Sequence, residues 1–268
     1  ACKNSVSPTF LAATSFIMNQ KIDTGKIVTI FQECIQNNFD KNITLKQHLA
    51  VYSSLYNGNV QQDASEVFNQ LCNVLHLGSE FNLLHDDELS DDSMIVSIPK
   101  TLFTFVVETK YACNVCGCIT SSTESSTLFH IVPQQMVGTS ILVNSACYET
   151  VIKSCRVCGC DRYHSAKHKF LQVPNILVML VKRFDIKDEV LVKLHTQIVI
   201  ENEIALDNHN YELLGTIHHH GDYISSGHYT SVVKYNEFYL CNDNTIKPWR
   251  LIDSNISKSV YMLFYKLN

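Results

Sequence analysis

The chain has 268 residues, of which 46% are apolar, and a formal net charge of −5. That length can bury a sizeable core, as one large domain or as two ordinary ones. No nucleic-acid partner is expected, because the net charge is negative and the basic residues are scattered. No membrane partner is expected either, since the longest apolar run, residues 176–181, is far shorter than the roughly 20 residues of a membrane span.

Helical periodicity characterises the first eighty residues. Residues 9–18 are apolar on most sides, and residues 23–36 carry apolar side chains at helical spacing. Residues 60–75 form the clearest predicted helix, because their apolar side chains recur along one stripe. The acidic run at residues 86–92 is interpreted as a solvated loop.

Strand patterns follow the acidic run. The predicted strands are residues 94–98, 102–111, 119–132 and 176–184, together with the hairpins of the last sixty residues. Helices first and strands afterwards indicate an α+β protein with a cleft between its two parts.

Two cysteine clusters share the pattern CxVCGC. The first contains Cys113 and Cys116, and the second contains Cys155 and Cys158. Thiolates separated by two residues can bind one tetrahedral ion from a tight turn, and two such turns complete a four-cysteine zinc site. Such a Zn²⁺ ion has no open coordination position and would be structural. We expect two hairpins that meet tip to tip, with residues 119–132 and 141–153 as strands.

A third cysteine ends each cluster, Cys118 in the first and Cys160 in the second. Either thiol could substitute as a ligand, but the geometry of the CxxC pairs favours the four cysteines named above. A strand that continues from the preceding glycine is expected to carry the third thiol away from the ion. Eleven cysteines with two CxxC pairs and no secretory signal favour a reducing compartment, so a cytoplasmic or nuclear protein is expected.

A glycine-framed histidine occurs near the end of the chain, in Gly227-His228-Tyr229-Thr230. An apolar strand follows and ends in Asn242-Asp243. A cysteine protease needs a histidine base and, about one hairpin later, a group that fixes the tautomer of its ring. Three consecutive histidines at residues 218–220 are expected to be mostly structural, because neighbouring strand residues project to opposite faces and cannot all bind one ion.

Four blocks of sequence together carry a family resemblance. They are Gln61-Gln62-Asp63-Ala64-Ser65-Glu66, the two cysteine pairs, residues 173–184, and the histidine block with the closing strand at residues 260–265. In this order they resemble the ubiquitin-specific protease family of deubiquitinases, over nearly the whole chain. The resemblance implies one catalytic domain with a papain-like fold: a helical thumb (residues 1–85), a β-sheet palm (86–99 and 174–268) and zinc-tipped β fingers (100–173).

The resemblance also implies an activity, hydrolysis of the isopeptide or peptide bond after the C-terminal glycine of ubiquitin. His228 matches the general base, Asn242 matches the third member of the triad, and Asp243 matches an acidic position that often assists. Cys2 matches the nucleophile, because Cys2-Lys3-Asn4-Ser5-Val6 keeps the family's cysteine and its Asn-Ser-Val. A thiol at a helix N-terminus would be stabilised as the thiolate by the aligned N–H groups.

The cysteine motif is one residue shorter than that of the family. An alternative alignment places Val6 at the nucleophile position, and the protein would then be a ubiquitin-binding pseudoenzyme. The oxyanion-hole asparagine of the family lies a few residues before the cysteine, ahead of Ala1. Activity on another ubiquitin-like modifier is a third hypothesis.

Substrate contacts are implied by the same resemblance. Asp63 and Glu66 stand three residues apart on one helix face, where the family contacts the basic tail of ubiquitin. Their alternative role is a favourable interaction with the helix dipole. Gln62 could line the cleft, and Tyr229, next to Gly227, is expected to line the narrow channel for the Gly-Gly terminus. The expected partners are ubiquitin and ubiquitinated proteins.

Overall fold

The structure is a computed structural model that describes residues 61–81, 102–223, 226–243, 245–249 and 256–268; for residues 74–81 it describes the backbone alone. Cys2, the predicted helices at residues 9–18 and 23–36, and the predicted strand at residues 94–98 lie outside the described residues. No helix within the described ranges is long and apolar enough to cross a membrane.

Two helices and seventeen strands make up the described parts of the chain. The helices are α1 (Ala64–Phe81) and α2 (Thr139–Ala146). The strands are β1 (Phe105–Cys113), β2 (Ile119–Ser126), β3 (Phe129–Ile131), β4 (Val137–Gly138), β5 (Tyr148–Ser154), β6 (Asp161–Gln172), β7 (Ile176–Val181), β8 (Phe184–Lys187), β9 (Val190–Lys193), β10 (Ile198–Val199), β11 (Glu203–Leu206), β12 (His209–Tyr223), β13 (Ser226–Lys234), β14 (Phe238–Asn242), β15 (Thr245–Trp249), β16 (Ile256–Ser257) and β17 (Val260–Leu267).

Two large sheets organise these strands. A four-stranded antiparallel sheet has the order β2-β1-β6-β5, and both of its outer hairpins turn at a cysteine cluster. An eight-stranded sheet has the order β15-β14-β13-β12-β17-β7-β3, with β11 also paired to β12. Smaller sheets join β16-β10-β4 and β8-β9.

The eight-stranded sheet is buried on both faces at its centre. In β7, Ile176 and Val178 belong to one hydrophobic cluster, whereas Leu177 and Met179 belong to the other. Because side chains alternate across a strand, an unbroken apolar run is what a strand covered on both sides requires. The continuous apolar sequence of β7 therefore places it in the middle of the core.

Helix α1 covers one face of this sheet. Phe68, Leu71 and Cys72 recur at helical spacing and are all buried in the first cluster. The ring of Phe68 makes edge contacts with Phe103 at 5.2 Å and with Phe264 of β17 at 6.2 Å between centroids. The predicted helix at residues 60–75 is thus present, but it begins at Ala64 and continues to Phe81.

Helix α2 covers the other face of the eight-stranded sheet, in a segment where a strand was predicted. The strand expected at residues 141–153 is wrong over its first part, which forms α2; β5 begins only at Tyr148. The carboxylate of Glu201 accepts the N–H of Ser140 at 2.7 Å in the first turn, and Leu142 and Val143 are buried against the sheet. A short apolar run fits a helix or a strand equally well, so only these distant partners decide its conformation.

The strand expected at residues 119–132 divides into two. Its first part is β2 in the four-stranded sheet, and its last part is β3, which pairs in parallel with β7 in the eight-stranded sheet. The Oγ of Ser126 accepts the N–H of Leu128 at 3.2 Å in the break between them. The chain therefore changes sheets at this point and links the cysteine-tipped extension to the body of the fold.

Candidate active site and thiolate cluster

His228 and Asn242 meet at one end of the eight-stranded sheet. The antiparallel pairing of β13 with β14 ends at Ser231 and Cys241, and the two side chains lie just beyond. Nε2 of His228 lies 2.6 Å from Oδ1 of Asn242. The amide oxygen can only accept, so Nε2 carries the proton and Nδ1 keeps a lone pair. This is the tautomer that can take a proton from a thiol.

Asp243 occupies the turn after Asn242. It is exposed, has a φ of 49°, and makes no hydrogen bond with the described residues. Of the two predicted orienting groups, Asn242 is therefore the one in contact with His228. Cys2 lies outside the described residues, so its position relative to this pair stays a prediction.

A glutamine side chain holds the backbone next to His228. Nε2 of Gln61 donates to the carbonyl oxygen of Gly227 at 2.6 Å, and the N–H of Gly227 donates to Oε1 of Gln61 at 2.8 Å. A side-chain carbon at Gly227 would clash with the ring of His219 and with the carbonyl oxygen of His220, so this approach requires glycine. Sequence reasoning misses this role of Gln61, although the residue opens the first family block.

The ring of His219 lies next to Gly227, and the residue is 1% exposed. Its ring packs against Tyr229 at 4.8 Å and against Tyr261 at 6.1 Å between centroids. Nδ1 accepts a hydrogen bond from the ammonium of Lys193 at 3.0 Å, and Nε2 has no partner among the described residues. Burial and the neighbouring ammonium lower the pKa of His219 to about 4, so the ring is neutral at physiological pH.

Lys193 links the β8–β9 hairpin to His219 and to the backbone next to it. Besides its bond to the ring of His219, the ammonium donates to the carbonyl oxygens of His219 at 2.8 Å and Gly221 at 2.6 Å. Burial is the main cause that lowers the pKa of Lys193. Sequence reasoning missed Lys193, because it belongs to no recognisable motif, whereas His219 belongs to the histidine run that was expected to be mostly structural.

Asp63 and Glu66 have different surroundings. Oδ1 of Asp63 accepts the N–H groups of Ser65 at 2.8 Å and of Glu66 at 3.2 Å, so Asp63 is the N-cap of α1. Its Oδ2 accepts the hydroxyl of Tyr261 at 2.6 Å. Glu66 is exposed, and its carboxylate makes no hydrogen bond with the described residues. Gln62 lies between Gln61 and Asp63 and is half-buried.

Tyr229 and Tyr261 surround the carboxylate of Asp63. Their rings lie 6.2 Å apart, and both hydroxyls are largely withdrawn from solvent. Burial, followed by the negative charge of Asp63, raises the pKa of both tyrosines above the ordinary value. Both side chains therefore remain protonated donors at neutral pH.

The three consecutive histidines project as a strand requires. The rings of His218 and His220 stack on one face at 6.4 Å, and each ring bonds a threonine hydroxyl at 2.8 Å: Thr216 for His218 and Thr230 for His220. His219 occupies the opposite face. The predicted alternation is thus present, and each ring has a separate packing role.

The four predicted ligand cysteines come together at the tip of the four-stranded sheet. Their Sγ atoms all lie within 4.8 Å of one another, with 3.9 Å between Cys113 and Cys158 and 3.6 Å between Cys116 and Cys155. A tetrahedral ion with metal–sulfur distances of about 2.3 Å needs sulfur–sulfur separations of about 3.8 Å. The group could therefore hold a metal ion.

The two cysteine turns have the same backbone conformation. In each, the N–H of the first cysteine donates to the carbonyl oxygen of the third, at 2.9 and 3.0 Å. Gly117 and Gly159 have φ values of 70° and 68°, which favour glycine. Backbone N–H groups directed at the sulfur lower the pKa of Cys155 to about 6 and also lower that of Cys113, the first cysteine of each turn. At Cys116, a backbone hydrogen bond that lowers the pKa is outweighed by burial and the neighbouring thiols, which raise the pKa to about 12. The turns therefore favour the thiolate, which is the form that binds metals, at their first cysteines.

The third cysteines do not behave alike. Sγ of Cys118 lies 4.0 Å from the carbonyl oxygen of Ile119, and Cys118 is not part of the group of four thiols. For Cys160 the expectation is wrong, because its Sγ lies 2.9 Å from Sγ of Cys158. Cys118 and Cys160 each stand directly before a strand, β2 and β6, so strand alternation does not set the direction of either side chain.

Known structures share this fold. Ubp8 in the SAGA DUB module with Sgf11, Sus1 and Sgf73, bound to monoubiquitin, has a TM-score of 0.75 at 18% identity, covering 98% of this chain and 64% of that chain. The same module bound to ubiquitin aldehyde gives 0.74 at 16% identity, covering 98% and 65%. The yeast module with an Sgf73 mutant gives 0.75 at 17% identity, covering 98% and 64%.

These likenesses confirm the predicted α+β, papain-like fold of the ubiquitin-specific proteases. The chain spans less than two thirds of the length of the solved chains it matches. The family model described as ubiquitin carboxyl-terminal hydrolase matches residues 4–265, nearly the whole chain. The chain therefore belongs to the ubiquitin carboxyl-terminal hydrolase family.

Proposed function

We propose that this chain is a deubiquitinating cysteine protease, a thiol-dependent hydrolase that cleaves the isopeptide or peptide bond after the C-terminal glycine of ubiquitin. The observation that carries the proposal is the 2.6 Å contact between Nε2 of His228 and Oδ1 of Asn242 on paired strands. Membership of the ubiquitin carboxyl-terminal hydrolase family supports the same chemistry. Ubiquitin as the substrate is supported by solved modules of the same fold bound to monoubiquitin and to ubiquitin aldehyde.

In the proposed reaction, Cys2 is the nucleophile and His228 is the general base. Nδ1 of His228 takes the thiol proton, and the thiolate attacks the carbonyl carbon of the terminal glycine. The imidazolium then protonates the leaving amine, which leaves a thioester. Water, deprotonated by the same ring, hydrolyses the thioester and regenerates the thiol. Asn242 holds the ring in the required tautomer, and Asp243 assists.

The tail of ubiquitin is proposed to enter along Asp63, Glu66, Gln62, Gly227 and Tyr229. Glu66 has the solvent-exposed carboxylate that an arginine of the tail could approach. Asp63 contributes negative charge while it caps α1 and bonds Tyr261. Gly227 and Tyr229 flank His228, where side chains larger than glycine would be excluded from the tail.

The metal is proposed to be a structural Zn²⁺ ion held by Cys113, Cys116, Cys155 and Cys158. Four cysteine sulfurs, all within 4.8 Å of one another, are the donors that zinc prefers in closed sites. Bound there, the ion would join the β1–β2 turn to the β5–β6 turn. It would take no part in bond cleavage, because four protein ligands would leave it no open position.

The division into subdomains and the compartment are also proposals. Residues 1–85 would form the thumb, 100–173 the fingers, and 86–99 with 174–268 the palm; the separate four- and eight-stranded sheets support this division. The nine described cysteines are all free thiols, which supports a reducing compartment, the cytoplasm or the nucleus.

The proposal is tested with a ubiquitin probe that carries an electrophilic C-terminus. The protein should form a covalent adduct, and Cys2→Ala should abolish it while ubiquitin binding remains. His228→Gln should slow adduct formation at least ~100-fold, because general-base catalysis contributes about that much or more. His209→Gln, an exposed histidine at the start of β12, is the control and should react like the unmodified protein.

Two outcomes would decide against the proposal. Zinc-loaded, folded protein that binds ubiquitin but forms no adduct would be a pseudoenzyme, as the alternative alignment at Val6 predicts. If a probe built on another ubiquitin-like modifier reacts faster, the preferred substrate is that modifier and not ubiquitin. Circular dichroism of each variant establishes that loss of reaction is not loss of fold.

A further inference from the structure

Two identical sequence patterns place their third thiol differently. Both turns read CxVCGC and share their backbone hydrogen bonds, yet Sγ of Cys118 contacts the carbonyl oxygen of Ile119 whereas Sγ of Cys160 contacts Sγ of Cys158. The Sγ atoms of Cys158 and Cys160 are 2.9 Å apart, closer than Cys113 is to Cys158, at 3.9 Å, or Cys116 to Cys155, at 3.6 Å. The second turn therefore carries a fifth thiol beside the metal-binding group.

Cys160 differs from its neighbours in being free to react. The four grouped thiols would each be bound to the ion, whereas Cys160 lies outside that set. Cys158 is exposed, so a small oxidant in solution can reach its sulfur, and Cys160 is partly exposed. A solvent-accessible thiol with a second thiol next to it is the arrangement found at sites of reversible thiol oxidation.

We propose that Cys158 and Cys160 are a peroxide-reactive thiol pair, and that their oxidation to a disulfide releases the metal ion from the four-cysteine group. The oxidative step concerns the two sulfurs alone. Only the release of the ion rests on the zinc site proposed above.

The chemistry balances with hydrogen peroxide as the oxidant. The Cys158 sulfur attacks one peroxide oxygen, the O–O bond breaks, and a sulfenic acid and hydroxide form. The Cys160 sulfur then attacks the sulfenic sulfur; the S–S bond forms, the S–O bond breaks, and the departing hydroxide takes the thiol proton as water. The two sulfurs lose two electrons, and the peroxide gains them. The first hydroxide is neutralised by a proton from solvent.

Metal release follows from the change at Cys158. A disulfide sulfur carries no negative charge and is a poor ligand, so the ion keeps only three thiolates and dissociates. A disulfide across a single glycine closes a short, strained ring, which makes it easy to reduce. The modification is therefore reversible by a dithiol, and the tip of the four-stranded sheet can bind its ion again.

Tryptic mapping of zinc-loaded protein treated with hydrogen peroxide tests the pair directly. Cleavage after Arg156 and Arg162 gives the peptide of residues 157–162, which contains Cys158 and Cys160 and no other cysteine. After treatment and alkylation we expect this peptide to be unalkylated and lighter by two hydrogen atoms. Zinc release is followed in parallel with a colorimetric chelator, after the zinc content of the reduced protein has been measured.

Matched variants separate the two third cysteines. Cys160→Ser should lose zinc about tenfold more slowly under peroxide than the unmodified protein, whereas Cys118→Ser should lose it at the unmodified rate. Equal release rates in all three proteins, or a cross-link between residues 157–162 and the peptide with Cys113 as the main product, would overturn the proposal. If the reduced protein proves to contain no zinc and still forms the Cys158–Cys160 disulfide, the proposed zinc site is refuted and the thiol pair is retained.

Discussion

Two hydrogen bonds from one amide hold Gly227, the residue before His228, against the segment that precedes α1. The partners are 166 positions apart in the chain. Because the backbone at Gly227 sets where the next side chain begins, Gln61 positions His228 without touching it. Positioning of this kind affects rate more than stability, since small displacements of a reacting group are costly.

Replacement of Gln61 tests this positioning role. Gln61→Ala removes two neutral hydrogen bonds of about 1 kcal/mol each, so we expect kcat/KM on a ubiquitin–fluorophore substrate to fall roughly 30-fold. Gln61→Glu keeps an acceptor but cannot donate to the carbonyl oxygen of Gly227, and should lose at least as much. Gln70→Ala, on α1, is the control. Unchanged kcat/KM in Gln61→Ala would show that Gly227 is held by other contacts.

His219 makes the stability of the fold depend on pH. The folded state keeps the ring neutral down to about pH 4, whereas the unfolded chain takes a proton near the ordinary pKa of 6.5. Between these values the unfolded state binds more protons, so the free energy of unfolding falls as the pH falls through this window. Above about pH 6.5 neither state binds the proton, and the contribution is fully present.

His219→Gln should flatten this dependence. The variant lacks the titrating ring, so the slope between pH 6.5 and 4 should decrease by up to about 1.4 kcal/mol per pH unit. Urea unfolding at several pH values measures the slope for both proteins. Parallel curves for the two proteins across this window would mean that His219 titrates alike in the folded and unfolded states.

At the level of elements, the first turn of helix α1 combines a capping carboxylate with a solvent-exposed one. Asp63 caps the helix and bonds Tyr261 of β17, whereas Glu66 in the first turn faces solvent. The sequence allowed both residues a recognition role or a helix-dipole role. The geometry gives the structural role to Asp63 and leaves the carboxylate of Glu66 available for a ligand.

Substitutions at the two positions separate these roles. Asp63→Ala should lower the free energy of unfolding by about 1–2 kcal/mol, because it removes an N-cap, whereas Asp63→Asn keeps the cap and should cost less. Glu66→Gln should change stability by less than about 0.5 kcal/mol and raise KM for ubiquitin at least ~tenfold, as loss of a charge-assisted bond predicts. Unchanged KM in Glu66→Gln would remove it from tail recognition.

At the scale of the whole molecule, the four-stranded sheet has two anchors. Phe105, Val107 and Phe170 pack into the second hydrophobic cluster at its base, while its tip is held by the cysteine group. The tip offers little apolar burial of its own: Ile119 and Ile152 are 65% and 71% exposed. We therefore expect the tip to depend on the proposed zinc ion, and the base to depend on the core.

Removal of the metal should consequently act on one end of the molecule. After treatment with a zinc chelator, amide hydrogen exchange at residues 112–120 and 153–163 should rise at least ~tenfold, while β7 and β17 keep their protection. Added zinc should reverse the change, and a calcium-selective chelator should have no effect. Uniform loss of protection across both sheets would show that the ion supports the whole fold.

The sequence by itself determined the features that short-range patterns encode. Apolar periodicity predicted α1, the strand pattern at residues 176–184 predicted the strand that includes β7, and the CxxC pairs predicted the four-thiol group. The helix and the strand each depend on residues within one element, and each CxxC pair lies within one turn, so local patterns are enough to predict them.

Only the tertiary structure decided features that depend on distant partners. Residues 139–146 became a helix because Glu201 and the core surround them, and Gln61 gained its role because folding brings Gly227 beside it. The physical reason is common to both: the deciding contact is made by atoms that are far away in the sequence.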